Sequence, residues 1–442
     1  MTPPSTRTIW SIAWPIMLSL AAQNVVNVTD TAFLGHLGEV ELGGSAIGGL
    51  FYTTLYMVGF GFTIGVQILI ARRHGEGNFP AIGRIFENSL YFLGLTSLMI
   101  SVLVFFYGSS VLKPFMSSQP IFDASSIYLK YRVTGLFFSA IGLLFRSFYT
   151  GIAYTRHLSI SSAIMAFLNV GLDYAMIFGH WGFPRMGIAG AAIASAISEA
   201  SATIYFLIVT IGNPRVKEFA LFKWVKPELI IIKNTLGISV FVMMQMVLSL
   251  GSWFVFFMFI EKMGERPLAV SNIIRSIYLL LMIPGWALCS VTNTLVSNSM
   301  GKGNPEMVIP IAKKMVAFCV ISMFIVLTAA GIFPKDIISL YTNNQSLIEA
   351  TIPSFYLIIV ALFFFALVSI LFNVVLGTAN TNISFFIEAF TLTVYLVYAW
   401  YLAVRLNLKI ELVWTSEFVY SSILGTLSLL YLYKGKWREK QV

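Results

Sequence analysis

The sequence predicts an all-α integral membrane protein of twelve transmembrane helices, in two six-helix lobes related by pseudo-two-fold symmetry. Three observations carry this reading. Hydrophobic residues fill 58% of the 442 positions and charged residues only 11%, against roughly 25% charged in soluble chains. Apolar stretches of about 20 residues, long enough to cross a bilayer, recur twelve times. The second half of the chain repeats the first at an offset of 226 residues. This composition excludes a soluble multidomain enzyme and a disordered chain.

The spans, bounded by Gly, Pro or charge, are expected near 9–34, 46–71, 86–108, 126–149, 158–179 and 188–211 in the first half. In the second half they fall near 232–260, 268–297, 308–332, 348–376, 382–404 and 411–433. The first apolar run is too long for the h-region of a cleavable signal peptide, and little basic charge precedes it. With the N-terminus inside, most of the 28 basic residues fall on inner segments. They include Arg7, Arg72, Arg73, Arg84, Arg146, Arg156, the 212–233 connection and the C-terminal tail. The positive-inside rule then puts both termini in the cytoplasm and the protein in the plasma (inner) membrane. The expected domains are an N-terminal lobe over 1–211, a cytoplasmic linker over 212–231 and a C-terminal lobe over 232–442. The net charge of +9 is assigned to cytoplasmic loops, and no nucleic-acid partner is expected. Cys289 and Cys319 give no disulfide framework, and four scattered histidines give no zinc site.

The repeat is gap-free over more than a hundred residues. Gly38-Glu39 falls on Gly264-Glu265, Ser45 on Ser271, and Gly77-Asn78 on Gly303-Asn304. Gly151, Ala153 and Thr155 fall on Gly377, Ala379 and Thr381. The offset covers six spans, an even number, so both halves insert with the same orientation. Parallel repeats of this kind are a transporter architecture.

Ionisable groups inside hydrocarbon are costly and mark functional positions. Gln23, Asn27 and Asp30 share one face of span 1, and Asn169 and Asp173 share one face of span 5. In span 6, Ser195 lies one turn before Glu199, and in span 11, Ser384 lies one turn before Glu388. At 1.5 Å per residue, Asp30, Asp173 and Ser195 fall within roughly 5 Å of one another in depth. Such a group suits either of two cargoes. Carboxylate, amide and hydroxyl oxygens are hard ligands for Na⁺, and two close carboxylates share a proton readily. The competing reading is that each acid pairs with a base or caps a helix end, for Glu199 and Glu388 especially. The repeat sets Phe256 opposite Asp30, Tyr395 opposite Asn169 and Ala399 opposite Asp173. The acidic set therefore belongs to one lobe, as a coupling-ion site would. Pro15, on the helix that carries Asp30, is read either as a hinge or as a static kink. The Gly75-Glu76-Gly77-Asn78 turn lacks the Lys-Ser/Thr ending of a nucleotide-binding loop.

Several stretches resemble the multidrug and toxic compound extrusion (MATE) family of antiporters. They are the run Asp30-Thr31-Ala32-Phe33-Leu34-Gly35-His36-Leu37-Gly38, the Gly-Glu-Gly-Asn turn, Leu168 to Asp173, and Pro184 to Ser195. The resemblance implies H⁺- or Na⁺-driven export of varied, often cationic small molecules from a monomer in membrane lipid, without a cofactor. It assigns the coupling site to Asp30, Asn169 and Asp173, with Ser195 in place of a family threonine; Glu199, at the edge of the group by its place in span 6, lies outside the family pattern. Under Na⁺ coupling the metal ligands would be Asp30, Asn169 and Asp173. Pro15 corresponds to the family's bending proline; Gln23, Asn27 and Glu388 are placed in the substrate cavity from their positions in spans 1 and 11, Glu388 lying outside the family pattern. Acids are missing from the middle of spans 7 and 10, where Glu261 and Glu349 lie at span ends; this favours the DinF-like branch. The alternatives are a lipid-linked oligosaccharide flippase of the wider superfamily, which needs a basic cavity, and an integral membrane transferase, which needs clustered acids at a membrane surface. The chain is not expected to be an enzyme.

Overall fold

The computed structural model describes residues 3–440, apart from the side chain of Arg215. The described residues are helical and contain no strand. Twelve long helices follow in order. The first six are α1 (Thr6–Leu37), α2 (Glu39–Glu76), α3 (Phe79–Leu112), α4 (Gln119–Gly151), α5 (Arg156–Phe178) and α6 (Ile188–Gly212). Then come α7 (Leu229–Glu261), α8 (Glu265–Leu281 continued as Ile283–Gly301), α9 (Val308–Ile332), α10 (Gln345–Gly377), α11 (Thr381–Trp400) and α12 (Ser416–Lys434). Each expected span coincides with one of them. The helices run past the apolar stretches because backbone hydrogen bonding continues into their polar ends. Ten are long and apolar enough to cross a membrane individually, and α8 passes as a bent pair. α12 completes the set with 19 residues whose buried face carries Glu417, Ser421 and Ser428.

The bend of 47° in α8 falls at Met282. Pro284, two residues on, has no N–H to donate to the preceding turn, and its ring crowds that turn. The offset places Val58 opposite Pro284, and α2 runs unbroken through Val58. Proline is not sufficient for a break, since α1 is continuous through Pro15 and α10 through Pro353.

The repeat is written into the backbone as well as the sequence. Gly77 and Gly303 share a left-handed φ, 72° and 70°. Ala153 and Ala379 do so as well, at 56° and 68°, although alanine adopts this region at a cost of about 1–2 kcal/mol. Keeping the same strained alanine turn in both halves shows that the connection before α5 and the one before α11 are the same device.

Contacts divide the chain into two compact units, Trp14–Met243 and the residues from Met244 onward together with those before Trp14. In the N-terminal unit α5 pairs closely with α6, and α4 packs on α2 and α3. In the C-terminal unit α10 is the hub, touching α8, α9 and α12.

The connection between α6 and α7 is fastened to the N-terminal unit. Glu87, fully buried on α3, accepts the backbone N–H groups of Lys223 (2.6 Å) and Val225 (2.9 Å). Its neighbour Asn88 accepts the N–H of Glu228 at 2.6 Å. Phe219 packs edge-on to Phe79 and Phe148, and Phe222 packs on Phe86. Arg84 pairs with the Glu228 side chain. Its hydrogen bond holds the exposed Glu228 carboxyl below the usual range, so this contact persists at neutral pH and is lost as the pH falls through the lowered value.

Glu87→Ala would leave two backbone donors without their carboxylate, a cost of about 1–3 kcal/mol each where water cannot replace it. Trypsin cleavage after Lys223 should become faster and the unfolding midpoint should fall by several degrees. An unchanged cleavage rate would show that the aromatic contacts alone hold the segment.

Candidate ion-coupling site

Small residues let α5 and α6 approach closely enough to build the site. A Cβ on Gly190 would sit 2.7 Å from the carbonyl oxygen of Met176, so only glycine fits there. The fully buried Ala191, Ala192 and Ala194 continue the contact face. This approach carries Ser195 to Asn169 on α5 and to Asp30 on α1. The Asn169 side-chain amide donates to Ser195 Oγ at 3.4 Å, and the Ser195 hydroxyl donates to Asp30 Oδ2 at 3.3 Å. Asp173 lies one turn beyond Asn169, and its carboxyl faces that of Asp30.

Asn169 and Asp173 have no solvent exposure. Four of the cluster's oxygens, Asp30 Oδ1, Asn169 Oδ1 and both of Asp173, receive no hydrogen bond from any described residue. Buried acceptors are normally satisfied, because an unpaired one forfeits its hydration without return. Four such oxygens have the chemistry to take a proton or a small hard cation. Leu34, Ala124, Tyr128, Ile177, Ile188, Ala191 and Ala192, from α1, α4, α5 and α6, form an apolar cluster in the same unit.

Glu199, one turn past Ser195, has other partners. Arg132 grips it with two parallel bonds, Nη1 to Oε2 at 2.8 Å and Nη2 to Oε1 at 2.5 Å. The Tyr52 hydroxyl lies within 3.2 Å of both carboxylate oxygens, and the Arg132 guanidinium stacks 3.8 Å over the Tyr52 ring. The pair fits because residue 135 is glycine: a Cβ there would lie 2.5 Å from Glu199 Oε2. That glycine ends a 3₁₀ turn, Val133–Gly135, which interrupts α4. The Ser101 hydroxyl bonds the carbonyl of Val133 at 3.0 Å within this turn.

The remaining expected residues lie elsewhere. The Gln23 amide oxygen faces Arg146. Asn27 is on an exposed stretch of α1. Pro15 is on the same helix, four turns before Asp30. Glu388 belongs to the C-terminal unit, where its Oε1 accepts from the hydroxyls of Tyr420 (2.7 Å) and Ser249 (3.1 Å). Glu417, buried nearby on α12, was not singled out in the sequence because it lies near a span end.

Sequence reasoning also placed Arg146 among the inner-face loop residues. The structure instead puts it inside the N-terminal unit, against Ser19, Gln23 and Ser162. No charge pattern signalled this, because a helix-end arginine can turn its long stem either way.

The MatE family model matches residues 15–175 and matches again at 242–401. The chain belongs to the MatE family. It is a multi-pass membrane transporter and not an enzyme. The chain is similar over its whole length to a probable multidrug resistance protein NorM of Thermotoga maritima, with 26% identity covering 95% of that protein. Among solved structures, the eukaryotic MATE transporter AtDTX14 superposes with a TM-score of 0.85 at 18% identity, covering 98% of this chain and 96% of that one. An outward-facing multidrug resistance MATE transporter of the MOP superfamily gives 0.87 at 16% identity, covering 96% and 94%. These likenesses fix the fold as twelve spans in two lobes. The double match of one family model is the internal repeat seen from outside.

The Arg132–Glu199 pair makes a stability prediction. Arg132→Met or Glu199→Gln alone leaves one buried charge uncompensated and should lose on the order of 3–5 kcal/mol. The double variant Arg132→Met, Glu199→Leu should recover most of it in thermal unfolding of detergent-solubilised protein. A double variant no more stable than either single one would contradict the coupling.

Proposed function

We propose that this protein is a secondary active multidrug exporter, and that inward flow of H⁺ or Na⁺ drives export of cationic or amphipathic compounds by alternating access. The four buried acceptor oxygens of Asp30, Asn169 and Asp173 that lack a donor carry this reading. The names of the NorM relatives support the multidrug assignment. The two carboxyl groups and the Asn169 amide would bind the ion, with Ser195 holding Asp30 in place. Glu199 serves through Arg132, whose charge also acts on Asp30 and Asp173.

While both carboxylates are ionised, drying the site costs the hydration of two like charges. A bound proton or Na⁺ removes that opposition, so the ion-loaded lobe closes more readily than the empty one. Closure changes the volume open to substrate, and the ion leaves after the transporter reorients. Bending of α1 near Pro15, where the helix lacks one internal donor, is a fitting response. With coupling confined to the N-terminal lobe, the protein resembles the DinF-like branch. In α7 and α10 the acids Glu261 and Glu349 stand at or near helix ends, which supports that placement. We further propose a monomer in the plasma membrane with both termini and the 212–231 connection cytoplasmic.

Asp30→Asn and Asp173→Asn keep size and polarity and remove the titrating group. Each should abolish substrate efflux from proteoliposomes under an imposed pH or Na⁺ gradient, at equal protein level and with an unchanged gel-filtration profile. Wild-type rates in both variants would rule out the N-terminal coupling site. Comparing the two gradients on the wild type decides which ion is carried.

Orientation has its own test. A cysteine placed at 220 or 436 should resist a membrane-impermeant maleimide in intact cells and react after permeabilisation. Labelling from outside would reverse the topology.

A further inference from the structure

The segment that joins α6 to α7 holds an unusual backbone in place. Ala220, Phe222 and Trp224 have left-handed φ values of 54°, 60° and 52°, while Leu221, Lys223 and Val225 between them do not. Bulky side chains rarely enter that region. Alternation of this kind turns successive N–H groups to one side, as in backbone concavities that bind anions. Here the anion is internal, the Glu87 carboxylate that accepts from Lys223 and Val225. The Tyr91 hydroxyl donates to the Val225 carbonyl at 3.0 Å. A Cβ on Gly83 would lie 2.4 Å from the Phe219 carbonyl oxygen. The segment is therefore seated on α3 from Phe219 to Glu228.

What this fixed segment turns outward is amphiphilic. Trp224 leans on Phe222, with ring centroids 6.0 Å apart, and is 66% exposed. Leu229 and Ile230, at the start of α7, are 79% and 62% exposed. Lys223, Lys226 and Lys233 are exposed among them, and none forms an ion pair with a described residue. Glu228, the acid within this stretch, is held by Arg84.

The exposed face of α7 continues from Lys233 through Gly237 and Val240. The opposite face is taken by α2, where the Ser239 hydroxyl donates to the Phe62 carbonyl at 3.0 Å. An exposed apolar stripe on a spanning helix meets hydrocarbon, and its charged and aromatic end marks the level of the headgroups. Lysine stems lie along acyl chains while their ammonium groups reach phosphate, and an indole ring favours the same interfacial layer. Because the backbone that presents Trp224 is already fixed, docking it orders little more of the chain.

We propose that Lys223, Trp224, Lys226, Leu229, Ile230 and Lys233 form a docking surface for anionic phospholipid. The lysines pair with lipid phosphates, Trp224 lies among the headgroups, and Leu229 and Ile230 rest on acyl chains. This goes beyond the exporter reading and does not depend on the coupling site.

The test uses the full-length protein in phosphatidylcholine nanodiscs, with a bimane on a single cysteine introduced by Pro227→Cys at an exposed position. Cys289 and Cys319 are buried, and protein without the new cysteine gives the background. The quencher is a phospholipid with a nitroxide near its headgroup, either phosphatidylglycerol or phosphatidylcholine at equal share. Phosphatidylglycerol should quench at least twofold more strongly. Lys223→Gln with Lys226→Gln should bring the two lipids level, and Trp224→Ser should weaken quenching by both. Lys302→Gln, an exposed lysine on another loop, should change neither. Equal quenching by the two lipids in the labelled parent would overturn the proposal. So would an undiminished preference in the lysine double variant, or loss of the preference in Lys302→Gln. Excess glycerol phosphate should leave the quenching by phosphatidylglycerol intact; relief would show a bare phosphate site and overturn the lipid assignment. Both leaflets of the disc have the same composition. The readout therefore holds for either orientation, and its failure is distinct from failure of the topology or of the exporter reading.

Discussion

Keeping carboxylates out of water, inside a lobe that has little else to offer them, is the constraint on which this structure turns. Most of the N-terminal unit is hydrocarbon, and moving an ionised acid into such surroundings costs more than packing returns. The unit meets this cost in two ways. Glu199 receives a complete solution: a bidentate arginine, a tyrosine hydroxyl and an aromatic ring stacked on that arginine. Asp30 and Asp173 receive an incomplete one, a single serine hydroxyl on Asp30 and no donor on Asp173. The difference separates a structural ion pair from a site whose protonation or ion occupancy can change. A fully satisfied acid has no reason to exchange its partner, whereas an unsatisfied one has a standing demand for a positive charge.

The local architecture serves that difference. Gly190 brings α6 onto α5, so that Ser195 meets Asn169 and Asp30. Gly135 and the 3₁₀ turn in α4 open room for Glu199 to dock on Arg132. Both are positions where a single methyl group would displace one of these polar contacts. Stability and function are therefore entangled here: the same glycines that weaken helices by propensity are required by the geometry of the polar groups.

The fold was almost wholly legible in the sequence, because hydrophobic length and a gap-free repeat are backbone-scale signals. All twelve expected spans are helices, and the paired left-handed turns at Ala153 and Ala379 carry the repeat into conformation. The meeting of Asp30, Asn169 and Ser195 was legible too, since helical spacing and depth bring these side chains together. What was not legible depends on where long side chains turn. Arg146 reads as a loop cation because it lies five residues from the end of α4, yet its stem leads inward to Ser19 and Ser162. Gln23 shares a face with Asp30 but reaches Arg146 instead. The docking of the 212–228 segment depends on one carboxylate, Glu87, that no local pattern distinguishes from an ordinary helix acid. The break in α8 was equally hidden, because Pro15 and Pro353 look the same in sequence and leave their helices continuous.

The repeat gives the acid site its own control. The positions that the 226-residue offset pairs with Asp30 and Asn169 are Phe256 and Tyr395, and these two meet in the C-terminal unit with ring centroids 5.5 Å apart. The partner of Asp173 is Ala399 and that of Ser195 is Ser421, both buried. The 226-residue offset thus keeps the serine and replaces both acids and the amide of the N-terminal unit with Phe256, Ala399 and Tyr395. In one half these positions are carboxyl, amide and hydroxyl groups with unmet oxygens. In the other they are two aromatic rings joined by Trp414, which lies 5.1 Å from Phe256. An aromatic cluster of this kind satisfies itself through burial and ring contacts and has no demand for an ion. The helical frame therefore does not require acids at these positions. Their presence in the N-terminal unit, at the energetic cost described, is what the proposed ion binding accounts for.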